Sequence, residues 1–221
     1  MKFAALIFDF DGVLVESEYE GNRHLAEYLT GIGHPHSPAE AMRHYMGLSG
    51  RAFIDAIEGR IGRPLPDGFH AEREVENERV LESGIGEVAG AIAFVRALPP
   101  ELPRAIASSS NSRWIRTHLR HLGLEDAFGD HVYSGKEHVA RGKPAPDLYL
   151  HAAAAIGVPI EACAIIEDSP VGATGAVASG GHVIGLCAGT HCPPDHAAVL
   201  RAIGVHDIAA DFGEVARLIG L

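Results

Sequence analysis

Six short apolar runs, spread along the chain and separated by helical patterns, do most to limit what this sequence can fold into. They fall at 3–8 (FAALIF), 104–109 (RAIASS), 131–135 (HVYSG), 162–167 (ACAIIE), 182–187 (HVIGLC) and, more weakly, 207–211 (DIAAD). Strands of this kind alternating with helices read as βαβ units, hence a doubly wound parallel sheet covered on both faces. The segment 113–123 carries Trp114, Ile115, Leu119 and Leu122 at helical spacing and stops at a glycine, and 145–157 reads the same way. On this reading His118 and His121 lie on the solvent side of their helix, and Cys163 is core.

Between the first and second runs lie some ninety residues without a strand signal. Ser17-x-x-Glu20 and Ser37-Pro38-Ala39-Glu40 are capping boxes, the second with proline at the first helical position. Leu25, Tyr28, Leu29 and Ile32 share one helix face, and Phe53, Ile54, Ile57 and Ile61 share another. The charged stretch 67–82 reads as a solvated helix. Residues 16–84 are therefore expected to form a helical cap inserted into an α/β core made of 1–15 and 85–221.

Composition removes several function classes. With 221 residues the chain can bury a sizeable core and still carry an insertion. No run approaches the ~20 apolar residues of a membrane helix, and the N-terminus lacks signal-peptide regions. Three cysteines argue against a disulfide framework and for a reducing cytoplasm. A net charge of −11 argues against a nucleic-acid surface. An anionic substrate would then need a local reversal of the field, which a divalent cation and a well-placed lysine supply.

In an open parallel sheet, ligands collect beyond the carboxyl ends of the strands. Those ends bring the unusual residues together: Asp9 and Asp11 after the first strand, Ser108, Ser109 and Ser110 after the second, and Glu167 and Asp168 after the fourth, with Lys143 in a loop entering a helix. Alternation along an extended chain places Asp9 and Asp11 on one side, with Phe10 turned to the core. If the chain stays extended their Cα atoms lie about 6–7 Å apart. Gly12 then lets the backbone bend away. Carboxylates are nucleophiles toward phosphoryl groups and oxygen ligands for Mg²⁺. Taken singly, each feature has a plainer reading: a turn at Asp-Gly, a serine cap, an acid pair at a helix start, a surface lysine. Their order and shared rim favour the reactive one.

The stretches DFDGVLVES, ASSSN, GKPAPD and IIEDSPVG resemble the four ordered motifs of the haloacid dehalogenase-like hydrolases, in the helical-cap branch that includes sugar-phosphate phosphatases and β-phosphoglucomutase. The resemblance spans the chain. It implies Asp9 as nucleophile, Asp11 as general acid and base, Ser108 with the Ser109 N–H as phosphoryl-oxygen donors, and Lys143 as charge neutraliser. It also implies Mg²⁺ held by Asp9, the Asp11 carbonyl and Asp168, with Glu167 beside the metal or joined to it through water. Ser109 and Asn111, and the cap-side residues Glu16, Asn22, Ser49 and Arg51, are the candidate substrate contacts. The expected activity is Mg²⁺-dependent hydrolysis of a small phosphate monoester, a phosphosugar or related metabolite, through an aspartyl-phosphate.

Neighbouring chemistries fit less well. Asp11 is present, which the dehalogenases lack, and the lysines, Lys2, Lys136 and Lys143, all lie outside the cap, where phosphonate hydrolases carry one. The phosphosugar mutase is the main alternative, but its cap histidine and arginine positions are here Gly21 and Gly50, with Arg51 one residue on. A phosphoacceptor signalling module would be about half this length, with its aspartate on a middle strand. The Cys187, His191, Cys192 and His196 cluster fits no standard zinc spacing and reads as a loop at the rim. The chain is expected to act as a monomer or small homo-oligomer, without nucleic-acid or membrane partners.

Overall fold

The computed structural model describes residues 1–45, 48 and 50–221. They divide into two compact units, one of Met1–Glu16 with Gly86–Leu221 and one of Ser17–Ile85.

The first unit is built on six parallel strands: β1 (Ala5–Phe8), β2 (Arg104–Ser108), β3 (Val132–Ser134), β4 (Cys163–Glu167), β5 (His182–Leu186) and β6 (Asp207–Ala209). Each lies inside one of the six apolar runs. Every residue of β1, β2 and β4 is buried, as expected of parallel strands covered on both faces. The order is β3-β2-β1-β4-β5-β6. The winding direction therefore reverses between β1 and β4, and a crevice opens at their carboxyl ends.

Seven α-helices belong to this unit: α5 (Ala91–Ala97), α6 (Ser112–Leu122), α7 (Glu125–Phe128), α8 (Asp147–Ala155), α9 (Pro170–Ser179), α10 (His196–Ile203) and α11 (Phe212–Ile219). One sheet face packs Ala5, Ile7, Ala105, Ala107 and Ile165 against Leu148, Tyr149, Ala152 and Ala153 of α8 and Ala176 of α9. Small alanines on both sides let the helices sit close. The opposite face is aromatic: Phe8 meets Phe94 and Phe128 edge-on at 6.2 and 5.6 Å between centroids, and Phe94 meets Phe212 at 5.1 Å.

Helix α6 begins where Asn111 Oδ1 accepts from Trp114 N at 2.8 Å and ends at Gly123. Its buried stripe is Ile115, His118, Leu119 and Leu122. His118 is thus not on the solvent side: it lies three residues from Ile115 and four from Leu122, so helical geometry turns it inward. His121 is exposed, as expected.

The second unit contains α1 (Ser17–Gly31), α2 (Pro38–Tyr45), α3 (Gly50–Ile61) and α4 (Phe69–Ser83). Leu25, Leu29, Tyr45, Ile57, Ile61 and Phe69 form its core, with Tyr28, Ile32, Phe53 and Ile54 packed alongside. Helix α4 is anchored by Phe69 and Val80 and is otherwise largely solvated. The box at Ser37 is made, with Ser37 N donating to Glu40 Oε2 at 2.9 Å and Glu40 N to Ser37 Oγ at 3.2 Å. The box at Ser17 is not: Ser17 Oγ is buried without a hydrogen-bond partner, and Glu20 is taken by Arg23 at 2.8 Å. Among the described residues no helix is long and apolar enough to cross a membrane.

Candidate active site

Asp9 leaves the sheet at the reversal point. Pairing of β1 ends at Phe8, and Asp9 N still donates to Ile166 O of β4 at 2.9 Å. The chain does not stay extended beyond it. Leu14 N bonds Phe10 O and Gly12 N bonds Val15 O, each at 2.8 Å, folding 10–15 into a tight loop. Gly12 has φ +77°, and a Cβ there would stand 2.1 Å from Asp168 Oδ2. The Asp-Gly pair is therefore a place where backbone must approach a carboxylate, beyond what a simple turn needs.

Asp9 Oδ1 accepts from Phe10 N at 2.7 Å and from Lys143 Nζ at 2.8 Å. Lys143 Nζ also reaches Glu167 Oε1 at 2.6 Å, and all three side chains are buried. Glu167 is fully engaged: Oε1 also accepts from Tyr149 OH at 2.9 Å, and Oε2 accepts from Ser169 N at 2.8 Å and Ser169 Oγ at 3.1 Å. Burial pushes Asp9 well above the usual carboxylate range, repulsion from Glu167 adds to this, and Lys143 only partly offsets it. For Glu167 burial acts upward too, but the charge and hydrogen bond of Lys143, together with hydrogen bonds at Ser169 N and Asp9, outweigh it and hold the group below its ordinary value. Lys143 loses some basicity to burial but gains more from Asp9 and Glu167, so its pKa stands well above normal and it stays an ammonium.

Asp9, Glu167 and Asp168 each present an oxygen, all within 4.8 Å of one another. Three buried carboxylates facing one ammonium leave the pocket negative, and a buried net charge is costly. An all-oxygen donor set of this charge fits a hard divalent cation such as Mg²⁺.

Asp11 turns to the other wall. Its Oδ2 accepts from Ser110 Oγ at 2.6 Å and Ser108 Oγ at 3.2 Å, and its Oδ1 from Trp114 Nε1 at 3.1 Å. Ser108 Oγ in turn accepts from Ser110 N at 3.0 Å. The sequence groups Ser110 with the strand-end serines but places Trp114 only in the helical spacing of 113–123. An indole on the first turn of the helix following a reactive strand end is a donor within reach of the rim, which is the signal that reading overlooked.

Asp168 is gripped by the loop after β5. Its Oδ2 lies 2.8 Å from His191 Nε2, both side chains 3% exposed, and its main-chain O lies 2.5 Å from His196 Nε2. This is the rim loop expected at 187–196, and among the described residues its cysteines and histidines do not gather into a metal-holding group. Glu16 holds the same loop, accepting from Thr190 N at 3.1 Å and Thr190 Oγ1 at 2.7 Å.

The structure thus brings Asp9, Asp11, Ser108, Lys143, Glu167 and Asp168 to one end of the sheet. Ser109 is exposed beside them, and the Asn111 side chain caps α6. Asn22 and Arg51 belong to the helical unit, where Asn22 Nδ2 donates to Glu18 O at 2.8 Å and Arg51 Nε lies 2.7 Å from Asp55 Oδ1. Ser49 lies outside the described residues.

Residues 3–180 match the family model described as hydrolase, haloacid dehalogenase-like hydrolase. The chain is 29% identical to the 6-phosphogluconate phosphatase of Escherichia coli K12, over 87% of this chain and 86% of that protein. It is 30% identical to hexitol phosphatase A of the same organism, over 87% of each. A Deinococcus radiodurans family hydrolase, solved with bound phosphate and sodium, superposes with a TM-score of 0.88 at 32% identity, over 99% of this chain and 96% of that one.

Proposed function

The chain belongs to the haloacid dehalogenase-like hydrolases, and on that premise we propose that it is a Mg²⁺-dependent phosphatase of small phosphorylated metabolites, phosphosugars foremost. One observation carries the reading. Asp9 is buried at the carboxyl end of the central strand, 2.8 Å from an ammonium that Glu167 also binds, with Asp168 close enough to share a cation. The names of the curated relatives support the substrate class, and the phosphate and sodium of the Deinococcus structure support an anion-plus-cation pocket in this fold.

Asp9 attacks phosphorus, and the phosphorus–oxygen bond to the leaving alcohol breaks as Asp11 gives that oxygen its proton. The product is an aspartyl-phosphate on Asp9. Asp11 then takes a proton from water as the water oxygen attacks phosphorus, and the bond to Asp9 breaks, releasing inorganic phosphate and restoring both carboxyls. Ser108 donates to a phosphoryl oxygen, and Lys143 offsets charge on nucleophile and phosphate. Asp9, Asp168 and the Asp11 carbonyl would hold Mg²⁺, which when bound would supply charge neutralisation for the transferring group. Glu167, saturated by protein donors, keeps Lys143 in place. Asn22, Ser49 and Arg51 are the residues we propose to select among esters.

Phosphate release from a panel of sugar phosphates, nucleotides and p-nitrophenyl phosphate tests this. Turnover is expected with Mg²⁺, lost with EDTA and lost in Asp9→Asn, with phosphosugars preferred. No release from any ester would overturn the proposal.

A further inference from the structure

The loop between β5 and α10 carries no part of the four motifs, yet it reaches Asp168 with a buried side chain. His191 Nε2 lies 2.8 Å from Asp168 Oδ2, and His196 Nε2 lies 2.5 Å from Asp168 O. One residue is thus held from two directions, by side chain and by main chain. His191 Nε2 also has Cys192 Sγ at 3.5 Å.

The space around this pair is shaped by two glycines from distant parts of the chain. A Cβ on Gly12 would stand 2.1 Å from Asp168 Oδ2 and 3.0 Å from His191 Cε1, and a Cβ on Gly189 would stand 2.3 Å from His191 Cε1 and 2.4 Å from its Nδ1. Real side chains at either place would push the imidazole or the carboxylate aside. The loop itself is tied down by Glu16, whose carboxylate takes Thr190 N and Thr190 Oγ1 at 3.1 and 2.7 Å. A buried ring, fitted between two glycines and aimed at one carboxylate oxygen, has the form of an orienting group.

We propose that His191 is a positioning residue for the cation site: its Nε2–H donates to Asp168 Oδ2 and fixes that carboxylate in the rotamer that faces Asp9. The inference rests on the phosphatase reading only in taking Asp168 as a Mg²⁺ ligand. A carboxylate so held loses little rotamer freedom when it takes up a cation, and partners of this kind commonly contribute 10–100-fold to metal affinity. The loop after β5 then ties the integrity of the cation site to a segment outside the family motifs.

Mg²⁺ titration calorimetry on the full chain tests it, with Asp168→Asn as reference. His191→Ala is expected to weaken Mg²⁺ binding about 10–100-fold. His191→Gln, whose Nε2 can donate from a similar reach, recovers part of that loss, and Gly189→Ala, which touches no ligand, repeats part of it. Circular dichroism without metal checks that each variant is folded; should His191→Ala fail to fold, the Gln and Gly189 variants carry the test. Mg²⁺ affinity within twofold of wild type in His191→Ala, or with that variant unfolded in both of the others, would overturn the role of His191. Absence of Mg²⁺ binding by the wild-type chain, or unchanged binding by Asp168→Asn, would instead overturn the metal site itself.

Discussion

Trp114 is the chain's single tryptophan, and it ties the Asp11 carboxylate to a buried histidine. Its indole N–H reaches Asp11 Oδ1 at 3.1 Å, while its ring meets that of His118 edge-on at 4.4 Å. Trp114→Phe keeps the ring contact and removes the donor. Asp11 is then held by two donors instead of three, and a less well oriented acid and base is expected to lower kcat/KM about tenfold. Steady-state kinetics would show it, and an unchanged value would mean that Ser108 and Ser110 suffice. His118 sets a different dependence. It is fully buried, neither ring nitrogen has a hydrogen-bond partner, and burial pushes its pKa from 6.5 down to about 4. The unfolded chain takes a proton near pH 6.5 and the folded one only near 4, so His118 favours the folded state fully above 6.5 and loses that contribution as pH falls through the window. The loss is about 3 kcal/mol by linkage. Urea midpoints at pH 7 and pH 4.5 should differ more for wild type than for His118→Leu; equal differences would refute the assignment.

At the scale of elements, like motifs had unlike fates. The boxes at Ser17 and Ser37 share the Ser-x-x-Glu pattern, but only Ser37 exchanges hydrogen bonds with its glutamate. Ser37→Ala is expected to cost about 1 kcal/mol and Ser17→Ala nothing, or a slight gain from removing a buried hydroxyl without a partner. Thermal melts of the two variants decide it, and equal losses would contradict the geometry. The same contrast marks what was legible. The six strands could be read because strands buried on both faces are short continuous apolar runs, and the helix core at Leu25, Leu29, Ile57 and Ile61 because its spacing is periodic. Asp9, Asp11, Lys143, Glu167 and Asp168 could be placed on one rim because strand ends share it. His118 is polar by type, and only its place on the Ile115–Leu122 stripe marks it as buried. The roles of His191 and Trp114 were hidden for another reason: each contact joins residues far apart in sequence, and spacing within the 187–196 loop speaks only to local metal patterns. Asp9 and Asp11 share a rim, yet the loop at Gly12 turns them to opposite walls, which extended-strand alternation could not foresee.

For the whole molecule the controlling quantity is charge. A chain of net charge −11 repels phosphate esters, and its most buried carboxylates, Asp9, Glu167 and Asp168, gather at the rim where we propose the ester is cleaved. Lys143 answers part of that charge, but it is shared between Asp9 and Glu167. Asp9 stays above the carboxylate range because the shared ammonium does not outweigh burial and repulsion. The pocket therefore remains short of positive charge, and whatever cation binds the folded chain stabilises it by mass action. At a Mg²⁺ concentration 100 times Kd the gain is about 2.7 kcal/mol. For a chain of this size, 1 kcal/mol moves Tm by about 2–4 °C, so saturating Mg²⁺ should raise Tm by about 5–10 °C over EDTA. Asp168→Asn should lose most of that shift while keeping its Tm in EDTA near or above wild type, because it removes one of the three crowded carboxylates. A Mg²⁺ shift of equal size in Asp168→Asn would place the stabilising ion elsewhere, and the charge deficit at Asp9 would then need another counterion.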